Sequence, residues 1–381
     1  MKVLHVISGL DTGGAELFLE RLALGLAKQE FSQAVVALRH AGAAASRLES
    51  AGIPVHVLHA GANLEGLKAA FALRSIVRQQ VPDLIQGWLY HGNLGASLMR
   101  SLGGACPVIW NVRHSLDDWR AETVRLRAVI RLGGVLSASA ARILFNSATA
   151  ARQHQRLGYP AHKALVVPNG FDCQRFRPDA GLRSAARSGL GIGDKTPIIG
   201  MVARYSAIKD HGTFLQAARV VADALPQARF LLVGRDVDRG NPALRQLLQT
   251  LQLTEKVLAV GERQDMPALL NAMDICVSSS RAEGFPNAVG EAMACGLPCV
   301  VTDVGASAEL VGDTGRVVPA RAPEALASAT LDLLNAGSEA RSKMGIAART
   351  RILQSYEQTA VVKQYADLYR ILAAPAPGSF P

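Results

Sequence analysis

The fold turns on Ile275-Cys-Val-Ser-Ser-Ser280-Arg-Ala-Glu283-Gly-Phe-Pro-Asn-Ala-Val-Gly-Glu291-Ala-Met-Ala-Cys-Gly-Leu-Pro298-Cys-Val-Val-Thr302. A short apolar run, a turn bearing glycine and proline, a segment of helix length and a second apolar run make one strand–helix–strand unit. Outward from it the rhythm repeats. Strands are expected near 197–203, 229–233, 257–260, 275–279, 298–302 and 315–318, and helices near 323–336, 338–353 and 358–372. The first half carries its own series at 2–8, 33–38, 54–58, 84–88, 107–112, 142–146 and 164–167. Alternation of this kind predicts an α/β protein with parallel sheets covered on both faces, in two doubly wound, Rossmann-like domains.

The chain's 381 residues exceed what one hydrophobic core usually organises, which also argues for two domains. Pro168-Asn169-Gly170-Phe171-Asp172 holds the turn signals expected of a linker, and polar residues follow to Asp194. We therefore expect domains over 1–168 and from 169 to 355, with a Pro/Ala/Gly-rich tail at 374–381. The cysteines number five and show no paired spacing, which disfavours a disulfide framework or a zinc site and suits a reducing cytosol. Met1–Leu10 reads as a first strand rather than a signal peptide, since Gly13, Gly14, Glu16 and Glu20 follow it. No run reaches the ~18 apolar residues of a spanning helix, so a soluble or peripheral, cytoplasmic protein is expected. The formal charge of +10 lies mostly in residues 1–168, with 18 Lys and Arg against 10 Asp and Glu. Between Arg120 and Arg152 six arginines meet only Glu122, and Trp119, Val124, Leu126, Val129 and Ile130 are interleaved with them. That pattern predicts a basic amphipathic helix suited to an anionic membrane surface at the inner face, with a solvated arginine-rich helix as the alternative. No nucleic-acid partner is expected.

Candidate chemistry gathers at strand ends. The first loop, Gly9-Leu-Asp-Thr-Gly13-Gly14-Ala-Glu16, places glycines between a strand and a helix, where backbone N–H groups and the helix dipole meet an anion. Its spacing is not that of a dinucleotide fingerprint, and Leu38-Arg39-His40 lacks the acidic residue for a ribose, although Arg39 remains open for a 2′-phosphate. In the deciding stretch, Pro286 suits the first turn of a helix, and Gly284, Phe285 and Asn287 bring backbone donors to its N-terminus, where a diphosphate is welcome. Glu283 and Glu291 bracket that point, suited to sugar and ribose hydroxyls respectively. Arg204 and Lys209 leave the first strand of the second half, placed to neutralise a departing diphosphate as a metal does elsewhere. No Asp-x-Asp metal pair stands in a suitable place, so neither a metal nor another cofactor is expected. His114 and His91 end two strands of the first half, and Glu309 is a further candidate ligand.

In order and spacing, these features resemble the large family 4 of retaining glycosyltransferases, the group 1 glycosyl transferases. They are the GGAE at 13–16, the NG-x-D at 169–172, Arg204 and Lys209, the E-x7-E at 283–291 and the AxGLP at 294–298. The resemblance implies the GT-B architecture, two domains facing across a cleft, with a helix at about 356–373 returning to the first domain. It implies that Glu283 contacts donor-sugar hydroxyls, Glu291 the ribose, Arg204 and Lys209 the diphosphate, and His114 the sugar near the reaction centre. Gly13 and Gly14 are similar to a loop that approaches phosphates or acceptor. The partners implied are a nucleotide diphosphate-sugar donor, UDP-sugar by family frequency, and a saccharide or lipid-linked saccharide acceptor. Two departures stand out: Ala203-Arg204 replaces the usual Gly-Arg, and Lys209-Asp210 the usual Lys-Gly. Rival readings are a nucleotide-sugar 2-epimerase of the same architecture and a non-catalytic nucleotide-sugar binding module.

Overall fold

The structure, a computed structural model, describes residues 1–11, 13–59, 64–101, 106–120 and 122–374, with backbone only over 64–70. Thr12 of the first glycine loop and all but Ala374 of the expected tail lie outside the described residues. The chain divides into two units, Met1–Gly170 with the chain from Thr359 onward, and Phe171–Gln358. The breaks therefore fall at 170/171 and 358/359 rather than at 168/169 and 355/356. The reason lies at the crossing itself. The Asn169 side chain accepts from Arg113 in the first unit, whereas the Phe171 ring is fully buried in the second unit's core. Phe171 also donates its N–H to the Tyr356 carbonyl (2.8 Å) and accepts from the Gln358 N–H (3.0 Å).

In the first unit the strands are β1 (Lys2–Leu10), β2 (Ser32–Ala41), β3 (Val55–Val57), β4 (Leu84–Trp88), β5 (Val108–Val112), β6 (Arg142–Phe145) and β7 (Ala164–Val166). They form one parallel sheet in the order β3-β2-β1-β4-β5-β6-β7. The helices are α1 (Gly14–Ala27), α2 (Ala43–Ser50), α3 (Leu64–Gln80), α4 (Leu89–Ser101), α5 (Val124–Leu136) and α6 (Ala148–Gln155). Alternate residues of β1 face opposite layers: Val3 and Ile7 join the core under α1 and α2, Leu4 and Val6 the core under α3 to α6. The last helix of the chain, numbered α15 below, also packs into the α1 layer through Val362, Tyr365 and Tyr369. It lies close because Gly25 stands where a Cβ would strike Val362.

The second unit repeats the scheme. Its helices are α7 (Ala180–Gly189), α8 (His211–Ala224), α9 (Pro242–Thr250), α10 (Met266–Ala272), α11 (Asn287–Ala294), α12 (Ser307–Val311), α13 (Pro323–Asn335), α14 (Gly337–Ser355) and the start of α15 (Gln358–Ala373). Its strands are β8 (Ile198–Val202), β9 (Arg229–Val233), β10 (Val257–Ala259), β11 (Ile275–Ser278), β12 (Cys299–Thr302) and β13 (Arg316–Val318). They pair in the order β10-β9-β8-β11-β12-β13. Strand order reverses between β8 and β11, and at such a switch the loops leaving the two strands part to open a crevice. Each expected strand is present, with ends shifted by a few residues. All five cysteines are free. Among the described residues no helix is long and apolar enough to cross a membrane.

Burial holds the His5 and His154 imidazoles of the first unit down to about 4, against weaker opposing hydrogen bonds from Gln33 and the Ala150 backbone. Both are neutral in the folded unit at pH 7, while in the unfolded chain they protonate near 6.5. Their contribution to stability is therefore fully present above pH 6.5 and is lost as pH falls through about 4. Near pH 5 the first unit is expected to take up about two protons on unfolding, a slope of about 2–3 kcal/mol per pH unit. Denaturant titrations across pH 4–7 check this, and a flat profile over that range would contradict the two buried imidazoles.

Candidate active site

The loops leaving β8 and β11 build the crevice of the second unit. After β8, Ala203–Asp210 passes under Gly234, whose φ of +149° and missing Cβ let the chain approach the Ala203 carbonyl. Asp210 takes the left-handed conformation (φ +50°) that a glycine normally supplies, and its carboxylate caps α8 by accepting from the Thr213 hydroxyl (2.8 Å) and N–H (3.3 Å). The Lys209-Asp210 departure thus keeps the backbone shape and adds a buried charge. That charge is neutralised from the other loop: Arg281 donates through Nε (2.7 Å) and Nη2 (2.9 Å) to the two Asp210 oxygens. Burial alone raises the Asp210 carboxyl, but the Arg281 and Thr213 hydrogen bonds outweigh it and the net shift is downward.

Three more bonds tie the loops together. The Ser279 hydroxyl donates within reach of the Lys209 (3.1 Å) and Asp210 (2.9 Å) carbonyls, and the Arg281 N–H donates to the Ile208 carbonyl (2.7 Å). So held, Lys209 Nζ lies 2.5 Å from Glu283 Oε1, and the Ser280 hydroxyl donates to the same oxygen at 2.7 Å. Glu283 is 8% exposed and its Oε2 takes no donor among the described residues. The two side chains line a cleft of about 320 Å³ with Ala203, Ser278, Pro286 and Asn287. Gly305, with φ +53°, sits where a Cβ would overlap the Glu283 carbonyl.

Pro286, which the sequence suits to the first turn of the helix that follows, stands at its very start. Pro286 is the N-cap (φ −82°, ψ 80°) and α11 begins at Asn287. The Asn287 N–H turns back to the Phe285 carbonyl (3.0 Å), and Val289 and Gly290 both donate to the Pro286 carbonyl (3.0 and 3.2 Å). The backbone donors expected from this turn are thus partly consumed within it. The Phe285 ring is directed into the core, stacked on Phe171 (6.1 Å between centroids) and against Tyr356 (6.0 Å). Glu291, on α11, is half-buried and does not line the cleft, and Arg204 is exposed at the start of the β8 loop, also outside the lining.

Glu309 stands on α12 of the second unit, where its carbonyl accepts from Arg351 (2.8 Å), and apart from it and Gly284 the remaining candidates belong to the first unit. Gly13 is the N-cap of α1 in extended conformation, with Gly14 as the first helical residue. His114, just past β5, has Nε2 2.7 Å from Glu122 Oε1 and presents its ring to the edge of Tyr90. His91 is half-buried, and burial with the nearby Arg39 lowers its pKa. Lys209, Glu283, Pro286 and Asn287 are thus brought together in one crevice. Ser280, Asp210, Arg281 and Glu122 were missed as partners; the serine run ending three residues before Glu283 was the available signal for Ser280. Asp210→Asn keeps an acceptor for Thr213 and removes the ion pair. Donor KM is expected to rise about three- to tenfold with kcat little changed, about 1 kcal/mol of positioning. A fall in the unfolding midpoint without any change in KM would make the pair a stability element only.

Comparison with known proteins gives the family. Residues 196–336 match the family model described as glycosyl transferases group 1, and residues 13–170 match the glycosyl transferase 4-like domain. The chain belongs to this glycosyltransferase family, and its fold is that of the two Rossmann-like domains of GT-B enzymes. It is 25% identical over 249 residues to an Escherichia coli UDP-Gal:alpha-D-GlcNAc-diphosphoundecaprenol alpha-1,3-galactosyltransferase, spanning 63% of each protein. It is 28% identical to the lipopolysaccharide core biosynthesis mannosyltransferase LpsB of Rhizobium meliloti, over 65% of this chain and 72% of that enzyme. Anabaena HepE, solved with UDP and glucose, superimposes with a TM-score of 0.85 at 23% identity, covering 98% of this chain and 100% of that one.

Proposed function

We propose that the chain moves a sugar from a nucleoside diphosphate-sugar, UDP-sugar in preference, to a hydroxyl of a saccharide or lipid-linked saccharide, with retention of the anomeric configuration. The observation that carries this reading is the Lys209–Glu283 pair at the N-terminal side of α11, in the crevice where strand order reverses. A cation beside a carboxylate suits a ligand that presents phosphate oxygens next to hydroxyls. Lys209 and Arg204 neutralise the diphosphate as its charge grows, in a site preorganised by the Ser279 and Asp210–Arg281 bonds. Glu283 accepts from donor-sugar hydroxyls through the oxygen that no described donor takes. Because Lys209 and Ser280 both hold its other oxygen, Glu283 suits a binding role better than that of a covalent nucleophile. The acceptor oxygen then bonds to the anomeric carbon from the side the diphosphate leaves, the bond between that carbon and the phosphate oxygen breaks, and the acceptor proton passes to the departing phosphate. His114 and the Gly13-Gly14 turn serve the sugar and acceptor side, and Glu291 the ribose. No metal is required by this scheme. The relative's UDP-Gal donor and HepE's bound UDP favour uridine. The lipid-linked acceptor in the relative's name supports work at the inner membrane face.

A thermal-shift panel of UDP, GDP, ADP, TDP and their sugar conjugates tests the donor side. UDP at about 100 times its Kd is expected to stabilise the protein by about 2.7 kcal/mol, and Lys209→Ala to abolish the shift. No shift with any nucleotide overturns the reading. Donor converted without an acceptor would identify a 2-epimerase, and donor bound but never consumed a binding module.

A further inference from the structure

The layer formed by α3, α4 and α5 presents an unusual outer side. α4 packs against both neighbours, and Leu73, Met99 and Ile130 send one side chain from each helix into a common core. The sequence pattern placed Leu126, Val129 and Ile130 on an amphipathic face of α5 available to a membrane. The structure turns them inward instead, fully for Ile130 and in part for Leu126 and Val129. Gly133 and Gly134 set that orientation: a Cβ there would strike the Tyr159 hydroxyl and the Leu157 carbonyl, so this side of the helix lies directly on the layer beneath. Trp119 lies before the helix and packs partly buried, with Arg131 over its ring at 5.4 Å.

The opposite side of α5 is apolar too. Val124 is 73% exposed, Leu132 50% and Val135 74%. Phe71 on α3 is 71% exposed, and Leu98 on α4 also faces solvent. With Leu136, six of the 16 large hydrophobic side chains exposed among the described residues sit on these three helices, which is clustering rather than the usual scatter. Exposed arginines stand among them: Arg74 and Arg78 on α3, Arg100 on α4, Arg125 and Arg131 on α5. The described side chains of the three helices include no Asp or Glu.

We propose that the α3–α4–α5 face docks the protein on an anionic lipid bilayer, its apolar side chains entering the headgroup boundary and its arginines pairing with lipid phosphates. Charge complementarity selects this occupant. Large apolar side chains with arginines among them, and Glu65 of α3 as the one acidic residue in the sequence of the three helices, are the composition of an interfacial surface. The proposal rests on the lipid-linked acceptor of the preceding section for its purpose, but it is measured by binding and not by transfer. A failed donor shift would sink the transferase reading and leave vesicle binding untouched.

The test is co-sedimentation of the full chain with vesicles of phosphatidylcholine alone or mixed with phosphatidylglycerol, in low and high salt. Each arginine at an anionic surface is worth about fivefold in partitioning, so wild type is expected on the anionic vesicles by more than about tenfold. Salt should reverse this, because the screening length shrinks to about 3 Å near 1 M. Arg125→Glu with Arg131→Glu, and separately Leu132→Ser with Val135→Ser, are each expected to cut binding about tenfold or more while the UDP-induced thermal shift is unchanged. Val124→Ser, a single exposed change, replaces the serine pair if that variant fails to fold. Equal binding to neutral and anionic vesicles, no binding to either, or variants that bind like wild type would overturn the proposal. Self-association of wild type that the Leu132→Ser and Val135→Ser changes abolish would overturn it in favour of a protein partner.

Discussion

Glu283→Gln is expected to lower turnover by about a hundredfold or more while the protein stays folded. The substitution keeps the side-chain volume, and its amide oxygen still accepts from Ser280, so the loop stays in place. What disappears is the negative charge that Lys209 Nζ approaches at 2.5 Å and that, in the proposed mechanism, accepts from sugar hydroxyls. A carboxylate hydrogen bond is roughly twice as strong as a neutral one, and in a side chain only 8% exposed little solvent replaces it. Lys209 is also left without its counter-charge, so the hold on the diphosphate proposed for it should change in the same variant. UDP release from the donor in the presence of acceptor, with UDP-induced thermal shift as the control, separates loss of chemistry from loss of binding. Turnover near the wild-type value would remove Glu283 from the site and the proposed mechanism with it.

Gly305→Ala should be almost as damaging, although residue 305 offers no side chain to any ligand. Two costs add at this position. A φ of +53° costs an alanine roughly 1–2 kcal/mol, and the new Cβ overlaps the Glu283 carbonyl, so backbone must move on one side or the other. The unfolding midpoint is expected to fall by about 5 °C or more. The donor-induced shift should weaken with it, because the displaced backbone carries Glu283. Gly189→Ala is the control: nothing lies within 4 Å of its would-be Cβ, it ends α7 at ordinary dihedrals, and alanine there should be neutral or slightly stabilising. Equal behaviour of the two variants would show that the Gly305 loop yields freely and does not fix Glu283.

Much of the site was legible because its signals are local. Glu283 and Pro286 fall within a few residues of a recognisable strand end, and Lys209 follows β8 at a readable distance. Asp210 was legible only as a departure. Nothing local says that a left-handed aspartate will be neutralised by Arg281, 71 positions away, because that bond exists only where β8 and β11 are neighbours in the sheet. Where Pro286 stands at the start of α11 was left open by the sequence for a related reason. Proline's fixed φ fits both the N-cap and the first helical position, and the return of the Asn287 N–H to Phe285 decides between them.

Hydrophobic periodicity, turn residues and the order of short motifs were enough to specify two doubly wound units and the family, since each of these is written in spacings shorter than a supersecondary unit. Packing alone decided which side of α5 is buried, which carboxylate receives Arg281, and that Glu291 and Arg204 lie outside the cleft lined by Glu283 and Lys209. Those outcomes depend on close approaches between residues far apart in the chain, such as Gly134 against Leu157 and Gly305 against Glu283, and no one-dimensional period records where two distant backbones will touch.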